Sequence, residues 1–170
     1  MSSRTSARRT TLHAAAAGTT IAILAVLVLA ADQFTKYLAL ENLPEKQAIP
    51  VLGDALQLFL TFNPGAAFSL GEGVTWVFTL VLMAAALVIV FLAVTRVRTR
   101  SWSIVLGLLL GGILGNLTDR LLRPPGFLTG HVVDFIAYAD WFIGNVADVF
   151  VFGGLALCIV LAFMGRPMRP

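Results

Sequence analysis

Three short patterns in this chain set polar groups at helical spacing. Asn116 and Asp119 stand three residues apart, as do Asn145 and Asp148, while Asp32 and Lys36 stand four apart. Residues three or four apart share one face of a helix. Asp134 adds a further acid inside the apolar stretch His131-Val132-Val133-Asp134-Phe135-Ile136. Two carboxyl groups brought to about 3 Å cannot both ionise easily, so one of them keeps a proton. One carboxylate then serves as a general base toward water and the other as a general acid toward a leaving nitrogen. Asparagine amides can hold the water or the oxyanion. That is peptide-bond hydrolysis by two acids, which needs no metal or other cofactor. The spacing leaves the pair open. The two N-x-x-D patterns suggest Asp119 with Asp148 by symmetry, whereas Arg120 beside Asp119 favours a structural carboxylate there.

Other chemistries find little equipment. Cys158 is the single cysteine, so an internal disulfide is excluded, and it lies in an apolar run as a small hydrophobe would. His13 and His131 lie far apart, with no H-E-x-x-H zinc pattern and no G-x-S-x-G serine elbow. Two alternatives to hydrolysis remain for acids in apolar surroundings. They can form a proton or ion pathway, as in a small proton-coupled transporter, or a polar network that only pins helices together.

The elements that must position these residues follow from composition. The chain has 170 residues, of which 58% are apolar and 12% charged, with a mean hydropathy of +0.89. A soluble domain carries about 25% charged residues, and a disordered chain has far fewer Leu, Val, Ile and Phe. A polytopic membrane protein remains. Four stretches approach or exceed the roughly 20 residues that cross a bilayer: about 14–31, with a pattern that can continue toward Leu40, then 74–95, 102–122 and 141–164. A fourth span starting at Trp141 would put Asp148 roughly 10 Å down that helix. In the third, Gly107, Gly111 and Gly115 form two overlapping G-x-x-x-G steps, which let helix backbones approach closely. The segment 32–73 between the first two spans contains short apolar runs, Ile49 to Val51 and Ala55 to Phe62. In the second run Leu56, Leu58, Leu60 and Phe62 alternate, although Phe59 spoils the pattern. The expected fold is therefore membrane α-helical, with four transmembrane helices and a small extracytoplasmic β-sheet platform between helices one and two. Such a platform can hold an extended peptide by edge pairing.

Charge placement orients the bundle. Arg4, Arg8 and Arg9 precede the first span, Arg96, Arg98 and Arg100 link the second to the third, and Arg166 and Arg169 follow the fourth, with no acid among them. Short basic segments stay cytoplasmic. The expected organisation is a cytoplasmic basic tail over 1–13, one membrane domain over 14–165 and a cytoplasmic tail over 166–170. All nine acids then lie outside or at the outer ends of spans. That asymmetry favours a site opening to the surface over a transport path through the whole depth.

Five motifs in order on this four-span chain resemble the prolipoprotein signal peptidases (signal peptidase II). They are Asp32-Gln33-Phe34-Thr35-Lys36, Asn63-Pro64-Gly65-Ala66-Ala67-Phe68, Gly111-Gly112-Ile113-Leu114-Gly115-Asn116-Leu117-Thr118-Asp119-Arg120, Val132-Val133-Asp134-Phe135 and Asn145-Val146-Ala147-Asp148. The resemblance implies an aspartic endopeptidase of the bacterial cytoplasmic membrane that cuts before the diacylglyceryl-cysteine of lipid-modified prolipoproteins. It implies membrane lipid around the substrate, inhibition by the cyclic peptide globomycin, and no nucleic-acid partner. It assigns the catalytic dyad to Asp134 and Asp148. Asn63, Asn116, Arg120 and Asn145 fall at positions around the active site, Asp119 takes a supporting role through Arg120, and Asp32 and Lys36 tie the first span to the site. Two features depart from the family pattern: Gly144 stands where an aromatic usually precedes N-x-A-D, and the connection from Asp134 to Asp148 is short.

Overall fold

A computed structural model describes residues 13–65 and 73–169. The elements in chain order are α1 (Ala14–Asn42), β1 (Ile49–Leu52), β2 (Leu56–Asn63), α2 (Thr75–Thr95), α3 (Arg100–Leu122), β3 (Val132–Tyr138), β4 (Phe142–Gly144) and α4 (Val146–Phe163). Arg4, Arg8 and Arg9 of the basic tail, Ala66 to Phe68 of the second motif and Glu72 lie outside the described residues.

The helix at the centre is α3, and its glycines explain why. A side chain at Gly111 would meet Val28 Cβ at 2.5 Å and Ala25 O at 2.8 Å, and one at Gly107 would meet the α1 backbone at Ile21. On another face, a side chain at Gly112 would meet Ala147 O at 2.6 Å, and Gly154 of α4 admits Leu109 of α3 in return. Two neighbouring helices therefore approach α3 to backbone contact, as small residues permit. Most of α3 is buried, whereas the other three helices turn large apolar residues outward, among them Leu87, Val94, Phe152 and Phe163. In hydrocarbon those residues face their preferred solvent, and the helices satisfy their own backbone groups.

The first helix runs on well past residue 31. Its buried positions Ala17, Ile21, Ala25, Val28, Asp32, Lys36 and Ala39 recur every three or four residues, so one face continues unbroken from apolar to charged. At 29 residues α1 spans roughly 43 Å, more than the roughly 30 Å of a hydrocarbon core. The fourth helix begins at Val146 and not at Trp141. Phe142–Gly144 pairs with β3 as a strand, and Asn145 caps the helix: its side chain accepts from Asp148 N while the Asp148 carboxylate accepts from Asn145 N. Asp148 thus lies in the first turn of α4 rather than two turns down.

The sheet draws on more of the chain than the 32–73 segment. Its order is β1-β2-β3-β4, antiparallel throughout, so half its strands come from between α3 and α4. The irregular alternation around Phe59 coincides with a register shift between Leu58 and Thr61. Leu60, Val133 and Phe135 pack on Ala39, which fastens the sheet to the last turns of α1. Replacing Gly111 with Leu should separate α1 from α3 and cost about 1–3 kcal/mol or more. A lowered midpoint of thermal unfolding of the full chain in detergent checks this; an unchanged midpoint would show that the two helices do not need this close approach.

Candidate active site

The α1–α3–β3 contact holds a cluster of buried charge. Lys36 Nζ lies 2.8 Å from Asp32 Oδ2 and 2.8 Å from Asp119 Oδ2, and all three side chains have no solvent exposure. Asp119 Oδ1 is 2.7 Å from Arg123 Nε and accepts from Gln33 Nε2 at 3.1 Å. Two cations thus meet two carboxylates, with further hydrogen bonds on the free lone pairs, which is what buried ions require. The remaining oxygens tie down the backbone: Ala147 N donates to Asp32 Oδ1 at 2.9 Å, and Val133 N donates to Asp119 Oδ2 at 3.2 Å. One cluster therefore joins α1, α3, β3 and the start of α4. Asp119 is held by Lys36 and Arg123, and its side chain makes no bond to Arg120. Residue 123 shares its helical face at i+4, whereas residue 120 points about 100° away. Arg120 Nη1 instead donates to Asn63 O at 2.9 Å and Gly130 O at 3.0 Å, bracing β2 against the loop before β3. The symmetric pairing of Asp119 with Asp148 is thereby corrected: both oxygens of Asp119 are already engaged by cations.

Lys36 also donates to Asn116 Oδ1 at 3.1 Å. An ammonium can only donate, so it fixes the amide with its oxygen inward and its NH2 outward. Asn116 Nδ2 then donates to Asp148 Oδ1 at 2.8 Å. Asn145 is oriented in the same manner. Its Oδ1 accepts from Asp148 N at 3.0 Å, so its Nδ2 faces Asp134 Oδ1 at 2.7 Å and Asn116 Oδ1 at 3.1 Å. Asn63 Nδ2 donates to the other oxygen, Asp134 Oδ2, at 3.0 Å, and Gly65 N holds the Asn63 oxygen at 2.8 Å.

Asp134 and Asp148 are consequently linked through one residue. Asn145 donates its side-chain amide to Asp134 and its backbone N–H, at 3.1 Å, to Asp148 Oδ2. Asp134 is almost wholly buried on β3, while Asp148 is half-buried. Burial, reinforced by the charge of Asp148, pushes the Asp134 carboxyl up to about 7, against the pull of the Asn63 and Asn145 amides and of Lys36. At neutral pH the Asp134 carboxyl can thus hold a proton.

The two departures from the family pattern have local explanations. The connection from Asp134 to Asp148 is short because it is a hairpin, with Ile136 opposite Gly144, followed directly by the capped first turn of α4. A side chain at Gly144 would meet Asp148 Oδ2 at 2.7 Å and Phe142 Cε2 at 2.9 Å. On this backbone path residue 144 has no room for an aromatic.

All nine residues singled out in the sequence, Asp32, Lys36, Asn63, Asn116, Asp119, Arg120, Asp134, Asn145 and Asp148, meet in this one network. Gln33 and Arg123 belong to it as well. Gln33 lies off the charged face of α1 beside Asp32, and its amide also reaches Gly115 O at 3.1 Å. The one sequence signal for Arg123 is its i+4 spacing from Asp119.

Four apolar helices with acids and amides gathered beneath a small sheet define an integral-membrane enzyme. Two solved bacterial membrane enzymes, determined by the in meso method at 2.3 Å and 1.9 Å resolution, share this fold. Their TM-scores are 0.75 and 0.73, each at 29% identity, covering 86% and 85% of this chain and 88% and 92% of theirs. The family model described as "Signal peptidase (SPase) II" matches residues 24–164. The lipoprotein signal peptidase of Leifsonia xyli subsp. xyli is 47% identical over 146 residues, 85% of this chain and 67% of that protein. That of Mycobacterium avium is 45% identical over 142 residues, 84% of this chain and 78% of that protein. The chain belongs to the signal peptidase II family, and it is accordingly a bacterial membrane protease. The transporter alternative finds no support in these comparisons.

The cluster makes a stability prediction. Lys36→Met leaves two buried carboxylates without their shared cation and should destabilise the protein by about 3–5 kcal/mol. Thermal unfolding of the full chain in detergent checks this. A midpoint unchanged from the parent would show that Lys36 does not hold the cluster.

Proposed function

We propose that this protein is an aspartic endopeptidase that removes the signal peptide from lipid-modified prolipoproteins, cleaving just before the diacylglyceryl-cysteine. Asp134 and Asp148 are its catalytic pair. The observation that carries the assignment is the double donation by Asn145, which holds the two carboxyl groups side by side with different surroundings. Asp134, the buried member, keeps the proton; Asp148, the more open one, takes a proton from water. The water oxygen bonds to the scissile carbonyl carbon. Asp134 then protonates the leaving nitrogen, the C–N bond breaks, and the products are a carboxyl on the signal peptide and an amine on the cysteine. Asn63 and Asn116 hold the carboxyl groups in register, and Arg120 braces the strand that carries Asn63.

In this reading residues 14–165 act as one peptidase domain, with basic cytoplasmic tails over 1–13 and 166–170. The arginines at the end opposite the sheet orient both termini toward the cytoplasm and the site toward the outer face. Asp134 lies in the sheet and Asp148 in the first turn of α4, so both sit at the membrane surface, where a peptide bond next to a lipid anchor would arrive. The diacylglyceryl chains hold the substrate in the bilayer plane, so little soluble surface is needed to bind it. A globomycin-like cyclic peptide would compete at the same place.

Asp134→Asn and Asp148→Asn should each lower cleavage by about 10²–10⁴-fold. The assay follows signal-peptide release from a lipidated pro-substrate by gel, using the purified full chain. Full activity in either variant would remove that residue from the pair.

A further inference from the structure

The end of the bundle away from the sheet carries a second candidate site. The segment 166–169 does not trail away there. Arg98 N donates to Met168 O at 2.8 Å, Trp102 Nε1 to Arg166 O at 2.8 Å and Thr99 Oγ1 to Pro167 O at 3.3 Å. These bonds dock the segment on the α2–α3 connection, and Met168 packs against the main apolar core. Between the docked segment and the last turns of α2 lies a cavity of about 380 Å³, lined by Phe91, Leu92, Arg96, Met168 and Arg169. That volume lies within the usual range of about 300–1,000 Å³ for small-molecule sites.

The lining combines two chemistries. Phe91, Leu92 and Met168 supply an apolar floor continuous with the outward-facing Val90 and Val94 of α2. Arg96 and Arg169 supply two exposed guanidinium groups, neither in an ion pair among the described residues. The neighbouring Arg98 is not comparable, because its guanidinium donates to the carbonyls of Ala93, Val94 and Val97 and closes the end of α2. The sequence has no acidic side chain from 73 to 118 or from 149 to 170.

We propose that this cavity binds the phosphate of an anionic phospholipid. Arg96 and Arg169 hold the headgroup, and an acyl chain lies along Phe91, Leu92 and the outer face of α2. Guanidinium groups match phosphate oxygens as bidentate donors. A soluble anion could use only the two arginines, whereas a phospholipid uses the arginines through its phosphate and the apolar lining through its acyl chain. The site lies at the opposite end of the bundle from Asp134 and Asp148 and does not rest on the peptidase assignment.

The test is a native mass-spectrometry titration of the full chain in neutral detergent. The probes are phosphatidylglycerol, phosphatidylcholine with the same acyl chains, and inorganic phosphate. Basic residues beside an anionic surface each contribute on the order of fivefold in binding. Arg96→Gln/Arg169→Gln should therefore weaken phosphatidylglycerol binding roughly 30-fold and leave phosphatidylcholine binding unchanged. Arg96→Lys/Arg169→Lys, which keeps the charge, should retain the preference for the anionic lipid, separating loss of the site from misfolding. Arg100→Gln removes a charge at the same end outside the cavity and should change little. Equal binding of the two lipids, or full binding by the double glutamine variant, overturns the proposal. An equal loss in Arg100→Gln would reduce the site to diffuse charge, and displacement of the lipid by inorganic phosphate would assign it to a soluble anion; either result also overturns it.

Discussion

A lysine ammonium shut away from solvent between two equally buried carboxylates is the constraint on which the site depends. Each charge would be costly alone in a low-dielectric interior, and together with Arg123 they balance. The balance has a chemical consequence beyond stability. Because Lys36 can only donate, it settles which way the Asn116 amide faces, and that orientation presents an N–H to Asp148. Asn145 receives its orientation from the start of α4 and presents an N–H to Asp134. The two acids proposed for catalysis therefore touch none of the balancing cations directly. They are held by neutral amides, which position a carboxyl group without forcing it to ionise. A direct ion pair would keep either acid charged and end its use as a proton donor.

The rest of the molecule serves that arrangement. The glycines of α3 bring α1 and α4 to backbone contact with it, so side chains as short as Asp32, Asn116 and Asp148 can meet. A side chain at Gly115 would meet Asp32 Oδ2 at 2.6 Å, so the last glycine of the stripe makes room for the charge cluster itself. The hairpin β3–β4 carries Asp134 in and leads straight to the Asn145 cap, and β2 delivers Asn63 beside it. The register pair Thr61–Asp134 sets Asn63 within reach of the Asp134 carboxyl.

Much of this is legible in the sequence because it is local. The four apolar spans, the i, i+4 pair Asp32–Lys36 and the i, i+3 pairs ending in Asp119 and Asp148 all follow from helical periodicity. Other features depend on partners far away in the chain. Lys36 meets Asn116 across 80 residues and Asn63 meets Asp134 across 71, and no spacing rule predicts either. Hydropathy alone starts the fourth helix at Trp141, because Trp141, Phe142 and Ile143 are as apolar as a span. Strand pairing with Ile136 to Tyr138 outweighs that hydropathy and puts the boundary at the Asn145 cap. The sequence pattern points to a sheet from the 32–73 segment alone, and the sheet is built from two segments, since β3 reads as a strand only once β2 is beside it. Spacing alone does not single out Asp134 as the proposed partner of Asp148, because symmetry favours Asp119; only the family resemblance points to Asp134.

The central claim is that the pair Asp134–Asp148 holds a single proton near neutral pH while Asp119 stays ionised. Infrared difference spectroscopy on the full chain, with aspartate carboxyl groups isotopically labelled, measures this directly as pH is raised. The account predicts one protonated carboxyl in mildly acidic solution, lost as pH passes about 7 and absent from Asp134→Asn. Full ionisation of every aspartate in mildly acidic solution, or a protonated signal that survives Asp134→Asn and vanishes in Asp119→Asn, would contradict it.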